Sequence, residues 1–286
     1  MNKKEVKLIL NDKLNLTPKK HLGQHFLIKQ GTTEKILNLS EISKDDTIVE
    51  VGAGLGALTK HLINKAKKVY AYEIDPQLFA FLKDKFSEAK NLILRNEDIL
   101  ESDLPHHDKV ISNPPYSITG PLMEKLFFKT TPPIGILLIE YQLAKRIFSR
   151  GEYKDFSRIS VTVNSFVDPV KKMKVSQNAF YPRPQIKLSL IKVKPKKNLH
   201  SFLKTPENRQ FFLDFIKGIF PYKNKNLPNA IKLYLKRRGL SNIEKDAIYT
   251  QLEQNTIQIK KVFNYEIEEY PTIAKNVFHL IENSKK

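Results

Sequence analysis

An α/β domain built on a mostly parallel sheet, followed by a small all-helical unit, is the fold that the sequence predicts. Three observations lead there. Short apolar runs alternate with amphipathic stretches, the alternation stops near Lys196, and 286 residues with 41% hydrophobic content suffice for one large core and a smaller one.

The apolar runs lie at 47–51, 68–74, 92–95, 109–112 and 135–140. Between them, residues 57–66, 77–86, 120–128 and 142–148 carry apolar side chains three and four apart, as an amphipathic helix requires. Strand-helix alternation of this kind implies a parallel sheet covered by helices on both faces. Two further β-rich runs, 160–167 and 187–193, have no long helix between them, so the last strands are expected to pair antiparallel. Beyond Pro195 the pattern is helical at 207–219, 228–238, 242–252 and 270–281. The expected organisation is therefore one domain over 1–195, with residues 1–46 as a leading segment, and a second over 196–286.

Composition narrows the function. No run approaches the roughly 20 apolar residues of a membrane span, and the start lacks the apolar core of a secretion signal, so a cytoplasmic protein is expected. With no cysteine, a metal would have to rest on histidines and carboxylates. Only His21 and His25 have helix-face spacing, and Gly23 between them with no acid nearby argues against zinc; no metal is expected. The formal charge of +19, from 49 Lys and Arg against 30 Asp and Glu, favours a polyanionic partner. Basic residues concentrate at Lys171 to Lys174, Lys192 to Lys197 and Lys232 to Arg238, and aromatic residues such as Phe180 and Tyr181 add a means of stacking bases.

The first apolar run ends in Glu50-Val51-Gly52-Ala53-Gly54-Leu55-Gly56 and opens a helix. Glycines there permit a sharp turn and let a ligand approach the backbone. The spacing is G-x-G-x-G, unlike the G-x-G-x-x-G of dinucleotide binders. Glu73, ending the second run, is placed to accept ribose hydroxyls, and Asp98, after the third, to accept from an adenine amino group. Three such groups at the carboxyl ends of successive strands point to a nucleoside cofactor held without a phosphate grip. S-adenosylmethionine fits, and NAD is disfavoured by the glycine spacing.

After the fourth run comes Ser112-Asn113-Pro114-Pro115-Tyr116. An exocyclic adenine amine is a poor nucleophile because its lone pair is delocalised into the ring. The Asn113 side-chain oxygen and the Pro114 carbonyl can each accept one amine hydrogen and so localise that pair, while Tyr116 stacks on the base. The prolines stiffen the loop. Phe180, in the proline-stiffened stretch Phe180-Tyr181-Pro182-Arg183-Pro184, is a candidate for the other face of the base or an ordinary core residue.

These pieces, in order, resemble the KsgA family of small-subunit rRNA adenine N6,N6-dimethyltransferases, its archaeal branch in particular. The matching stretches are Gly23-Gln24-His25-Phe26-Leu27, the run from Val49 to Thr59, Glu73-Ile74-Asp75, Asp98, Asn113-Pro114-Pro115-Tyr116 and Phe180 to Pro184. The resemblance implies a Rossmann-like S-adenosylmethionine-dependent methyltransferase domain and a helical rRNA-binding domain in a monomer. It implies that His25, Leu27, Gly52, Glu73, Asp98 and Asn113 contact the cofactor, and that Asn113, Pro114, Tyr116 and Phe180 handle the adenine. It also implies that the piece around His25 folds over the cofactor, and that the substrate is a 3′-terminal hairpin of 16S rRNA within a small-subunit precursor.

Some features depart from the family. Pro114 replaces its usual leucine and gives a form common in DNA adenine methyltransferases, which makes this the place to question a second methylation. His25 stands where bacterial members have asparagine, and the basic residues after Phe220-Pro221-Tyr222-Lys223 are thinned. The stretch from Leu138 to Arg146 is similar to Erm methyltransferases of large-subunit rRNA. An Erm-like activity, a DNA adenine methyltransferase and a non-catalytic assembly factor are thus the competing expectations.

Overall fold

The computed structural model describes residues 1–19, 22–150 and 154–284. The chain divides into two compact units. One comprises Met1–Leu126, Pro133–Ala144 and Pro169–Pro195; the other comprises Phe127–Pro132, Lys145–Asp168 and Lys196–Lys286. A single cut at residue 195 therefore does not describe the division, because two earlier segments belong with the helical unit.

The first unit holds a seven-stranded sheet of β2 (Thr47–Val51), β3 (Lys68–Tyr72), β4 (Leu92–Arg95), β5 (Lys109–Ser112), β6 (Ile134–Glu140), β7 (Val167–Val175) and β9 (Leu188–Pro195). Their order is β4-β3-β2-β5-β6-β9-β7. Pairings among β2 to β6 are all parallel, and β9 joins β6 antiparallel. This is a Rossmann-like sheet whose 187–193 run pairs antiparallel, as the sequence predicts. α3 (Thr59–Lys65) follows β2, α4 (Pro76–Lys85) follows β3, α5 (Thr119–Phe127) follows β5 and α6 (Tyr141–Ile147) follows β6. Strand order reverses between β2 and β5, so the loops after these two strands open a crevice at the carboxyl edge of the sheet.

Ahead of the sheet run α1 (Lys3–Leu8), a π-helical turn at Ile9–Lys13, β1 (Phe26–Leu27) and α2 (Gln30–Ser40). The segment looks too polar for a core, yet Val6, Leu10, Leu16 and Phe26 are buried with Leu55 and Leu78. β1 pairs antiparallel with β8 (Phe180–Tyr181), which sets Leu27 opposite Phe180 and Phe26 opposite Tyr181.

One strand expectation fails. Residues 160–167 are not a strand: α7 (Arg158–Phe166) occupies the run, and all its residues from Ser160 onward are buried. The β-branched sequence reads as a strand, but burial on all sides hides the helical period. Its polar side chains bond back within the helix, Thr162 to the Arg158 carbonyl at 3.1 Å, Asn164 to that of Ser160 at 2.8 Å and Ser165 to that of Val161 at 2.9 Å. A Ser157–Ser160 capping box starts it.

The second unit is an aromatic-rich helical core. Phe166 stacks on Phe128 at 5.0 Å between centroids and meets Phe212 edge-on at 6.2 Å, which is why residues 127–132 and 158–166 belong here. Its helices include α8 (Pro206–Ile219), α9 (Leu227–Arg237), α10 (Lys245–Gln254) and α11 (Glu269–Asn283). α8 and α9 touch through Gly218, where an added methyl would overlap the Tyr234 ring. Gly218→Ala is expected to cost about 1–3 kcal/mol through overpacking, read as a lowered midpoint in thermal melting. An unchanged midpoint would mean that the two helices part freely.

Candidate active site

β2 runs straight into the glycine turn. Gly52, Gly54 and Gly56 have φ of +70°, +58° and +75°, values that favour glycine at all three positions. The turn is gripped from behind. A Cβ on Gly56 would lie 2.5 Å from the Phe86 ring, and the Lys85 ammonium donates to the Leu55 carbonyl at 2.8 Å. At the front, a Cβ on Gly54 would come within 3.4 Å of Phe26.

Glu73 closes the turn on the β3 side. Its Oε2 accepts from the Gly54 amide at 2.7 Å and its Oε1 from the Asp75 amide at 3.0 Å. Burial pushes this carboxyl up, and the two amides counter only part of that. Each oxygen keeps a lone pair for a hydroxyl. Asp98 is exposed after β4; its Oδ1 accepts from the Leu100 amide at 2.9 Å, and its Oδ2 takes no hydrogen bond from a described residue.

Asn113 follows β5 directly. Its Nδ2 donates to the His25 carbonyl at 3.1 Å, which fixes the amide so that Oδ1 accepts from the Tyr116 hydroxyl at 3.3 Å. The Tyr116 ring stacks on the His25 ring at 5.8 Å, and His25 Nδ1 lies 2.8 Å from the Pro182 carbonyl. Burial raises the Tyr116 phenol well above its usual range, so its hydroxyl stays protonated. Pro115 has a packing role that the sequence hides: Cβ atoms on Gly23 and Gly52 would lie 3.3 Å and 3.4 Å from it. It wedges the Asn113 loop between the His25 segment and the glycine turn.

His25, Leu27, Gly52, Glu73, Asp98 and Asn113 line one cleft of about 1060 Å³, mouth included. The other three candidates lie elsewhere. Pro114 is buried, with no described residue donating to its carbonyl, and Tyr116 stands behind His25. Phe180 is 2% exposed and packs in the core with Leu27 and Ala179. Strand alternation turns Phe180 inward and leaves Tyr181 outward, where the Lys3 and Lys7 ammonium groups lie 5.9 and 5.7 Å from its ring centroid.

Two contributors escape the sequence reading. Asp75 caps α4, accepts from Gln24 Nε2 at 2.8 Å and pairs with Lys19 at 2.9 Å. Burial alone would raise its carboxyl, but Lys19, Gln24 and the Gln77 amide outweigh that and hold it below the usual range. Glu50 lines the cleft fully buried and accepts from the Thr59 hydroxyl at 2.7 Å. Its signal in the sequence is an acid inside an otherwise apolar strand.

Burial pushes Glu50 from 4.5 up to about 8. Between those values the folded chain keeps a proton that the unfolded chain releases, so stability falls as pH rises through this window. Glu50→Gln stays neutral and keeps an acceptor for Thr59. It is expected to melt near wild type at pH 5 and several degrees above it at pH 8.5. A gap that does not change with pH would remove the buried proton.

The basic runs divide. On β7, Lys171 and Lys174 are exposed, whereas Lys192 is buried and paired with Glu41 at 2.9 Å, so it holds the fold rather than a polyanion. Lys232 donates to the Ile243 carbonyl at 2.7 Å. His21 lies outside the described residues, and no group of three metal-ligating side chains occurs among those described. No described helix is long and apolar enough to cross a membrane.

The sequence matches the family described as "Ribosomal RNA adenine dimethylase" across residues 15–269. The chain belongs to this family. Within the rRNA adenine dimethylase family, a Methanococcoides burtonii protein named "Probable ribosomal RNA small subunit methyltransferase A" is 36% identical over 262 residues, 91% of this chain and 94% of that one. A solved dimethyladenosine transferase from Plasmodium falciparum shares the fold, with TM-score 0.76 and 23% identity over 90% of this chain and 98% of the other. The 23S rRNA methyltransferase ErmE shares it too, with TM-score 0.60 and 21% identity over 90% and 99%.

Proposed function

We propose that this chain transfers methyl groups from S-adenosylmethionine to N6 of two adjacent adenosines in a 3′-terminal hairpin of small-subunit rRNA, during ribosome biogenesis. The observation that carries the reading is Asn113, fixed through His25 and Pro115 beside the glycine turn, with its amide oxygen held only by a 3.3 Å bond. The name of the Methanococcoides relative favours the small subunit over an Erm-like target.

The cleft suits the cofactor. Gly52 and Gly54 leave room that a Cβ would fill, Glu73 retains lone pairs for the ribose hydroxyls, and Asp98 Oδ2 suits the adenine amine. His25 and Leu27 cover the opening from the β1 side. When bound, S-adenosylmethionine supplies an electrophilic methyl group.

The rest is positioning by the chain. The target base leaves its stack and rests on Tyr116, which requires the His25 ring stacked on it at 5.8 Å to give way, an exchange in which stacking worth roughly 1–3 kcal/mol offsets much of the cost. Asn113 Oδ1 exchanges the Tyr116 hydroxyl for an amine hydrogen, and the Pro114 carbonyl accepts the other. The nitrogen lone pair is thereby localised for attack; with the cofactor bound, the N–C bond would form as the S–C bond breaks, S-adenosylhomocysteine would be the leaving group, and the amine proton would pass to water. Phe180 backs Leu27 in the described conformation and reaches the base only if the β1–β8 pair shifts. The helical unit and the exposed lysines of β7 contact RNA phosphates.

With labelled cofactor, label is expected in undermethylated small subunits and not in naked large-subunit RNA. The reverse partition would replace this reading with the Erm-like one.

A further inference from the structure

Asp75 has more of its lone pairs engaged than a helix cap needs. One oxygen, Oδ1, accepts from the Gln77 amide at 3.0 Å and so starts α4, a task that serine, threonine or asparagine performs as well. A carboxylate that is 1% exposed is a costly group for that task alone. Its other oxygen, Oδ2, faces the residues ahead of β1, where it accepts from Gln24 Nε2 at 2.8 Å and pairs with the Lys19 ammonium at 2.9 Å. Gln24 is held in turn. Its Oε1 accepts from the Lys19 amide at 2.8 Å, which fixes the end of the side chain that points at Asp75.

From Asp75, bonds lead to both ends of the cleft. Its backbone N–H donates to Glu73 Oε1 at 3.0 Å, beside the glycine turn. On the other side Gln24 precedes His25, whose carbonyl accepts from Asn113 Nδ2 at 3.1 Å. The β1–β8 pairing anchors this segment from Phe26 onward, and the Gln24–Asp75 bond anchors it just ahead of His25. We infer that Gln24 and Asp75 form a latch that closes the His25 segment over the cofactor cleft and so aims Asn113. Both are positioning residues, acting through His25. Held by the latch, the His25 backbone stays in place when its ring gives way to the base. With the latch open, the Asn113 amide loses its fixed partner, and a displacement of about 1 Å in a reacting group can cost up to about 100-fold in rate. Cofactor affinity falls in proportion to the time the segment spends closed. The inference rests on the methyl-transfer reading for the role of Asn113, whereas closure of the segment does not depend on which RNA is the substrate.

A swap of partners in the full chain tests the latch. Gln24→Glu sets two carboxylates against each other, and Asp75→Asn keeps the α4 cap but turns an amide toward Gln24 Nε2. Each single variant is expected to bind S-adenosylhomocysteine about three- to tenfold more weakly and to transfer methyl at least about tenfold more slowly in single turnovers at saturating cofactor. In Gln24→Glu with Asp75→Asn the donor and acceptor exchange places, and Lys19 still faces one carboxylate. Both readouts are then expected to return to within about threefold of wild type, the non-additivity of a direct pair. Rates are read well below each variant's melting midpoint, where an effect on folding alone leaves them unchanged. Wild-type rates in both single variants, or a double variant no faster than the slower single one, would overturn the inference. Were the wild-type chain to leave small-subunit RNA unlabelled, the substrate assignment would fail while the S-adenosylhomocysteine titration still decided the latch, and equal affinity in wild type and both single variants would overturn it.

Discussion

Asn113→Ala is expected to slow methyl transfer by about 10²–10³-fold while leaving RNA affinity within about twofold of wild type. In the proposed mechanism the side chain supplies one of the two acceptors that localise the amine lone pair, and its amide is fixed by the His25 carbonyl. RNA affinity, by contrast, is expected to come mainly from lysine and arginine contacts to phosphate. Single-turnover rates with saturating cofactor, alongside an RNA titration, separate the two effects. A variant that keeps wild-type turnover would remove Asn113 from the mechanism, and one that loses RNA affinity equally would make it a binding residue.

Glu73→Ala should be nearly as damaging, at the other end of the cleft. Two hydrogen bonds from ribose hydroxyls to a carboxylate are worth about 1.5–3 kcal/mol each, so losing them weakens cofactor binding by about 100-fold or more. The same change also frees the Gly54 amide that Glu73 now holds at 2.7 Å. Calorimetric titration with S-adenosylhomocysteine reads the effect directly, and Glu73→Gln, which keeps the shape but not the charge, should fall between. An unchanged dissociation constant would move ribose recognition to another residue.

Much of this was legible before the fold was known, for physical reasons. Parallel strands flanked by helices leave apolar runs and a helical period, and turns that need positive φ leave glycines, so the crevice around Gly52, Glu73 and Asn113 shows in the chain. Residues 160–166 did not show as a helix, because burial on every side erases the period and the Thr162 and Ser165 hydroxyls and the Asn164 amide nitrogen donate to carbonyls one turn back. Phe180 looks like a base-stacking aromatic, but its register against Leu27 turns it inward. Lys192 reads as part of a basic run and is in fact a buried partner of Glu41.

Proximity is the information that local sequence lacks most. Pro115 looks like a second stiffener of the Asn113 loop, yet its closest neighbours in space include Gly23 and Gly52. Glu50, inside an apolar strand, is recognisable as unusual but not as a group protonated up to about pH 8. Pro115 packs the Asn113 loop against the glycine turn, and Glu50 ties the strand before that turn to Thr59. In the proposed mechanism the Pro114 carbonyl is the second acceptor, so the first methyl transfer uses two acceptors and the second uses one.

Dimethylation of adenine in small-subunit rRNA is read out by mass spectrometry of rRNA nucleosides. Small subunits lacking the modification, incubated with the purified chain and isotopically labelled S-adenosylmethionine, are digested and their adenosines weighed. N6,N6-dimethyladenosine carrying two labelled methyl groups is expected, with two such nucleosides per RNA. Monomethyladenosine alone at saturating cofactor and long times, or no labelled adenosine at all, would contradict it.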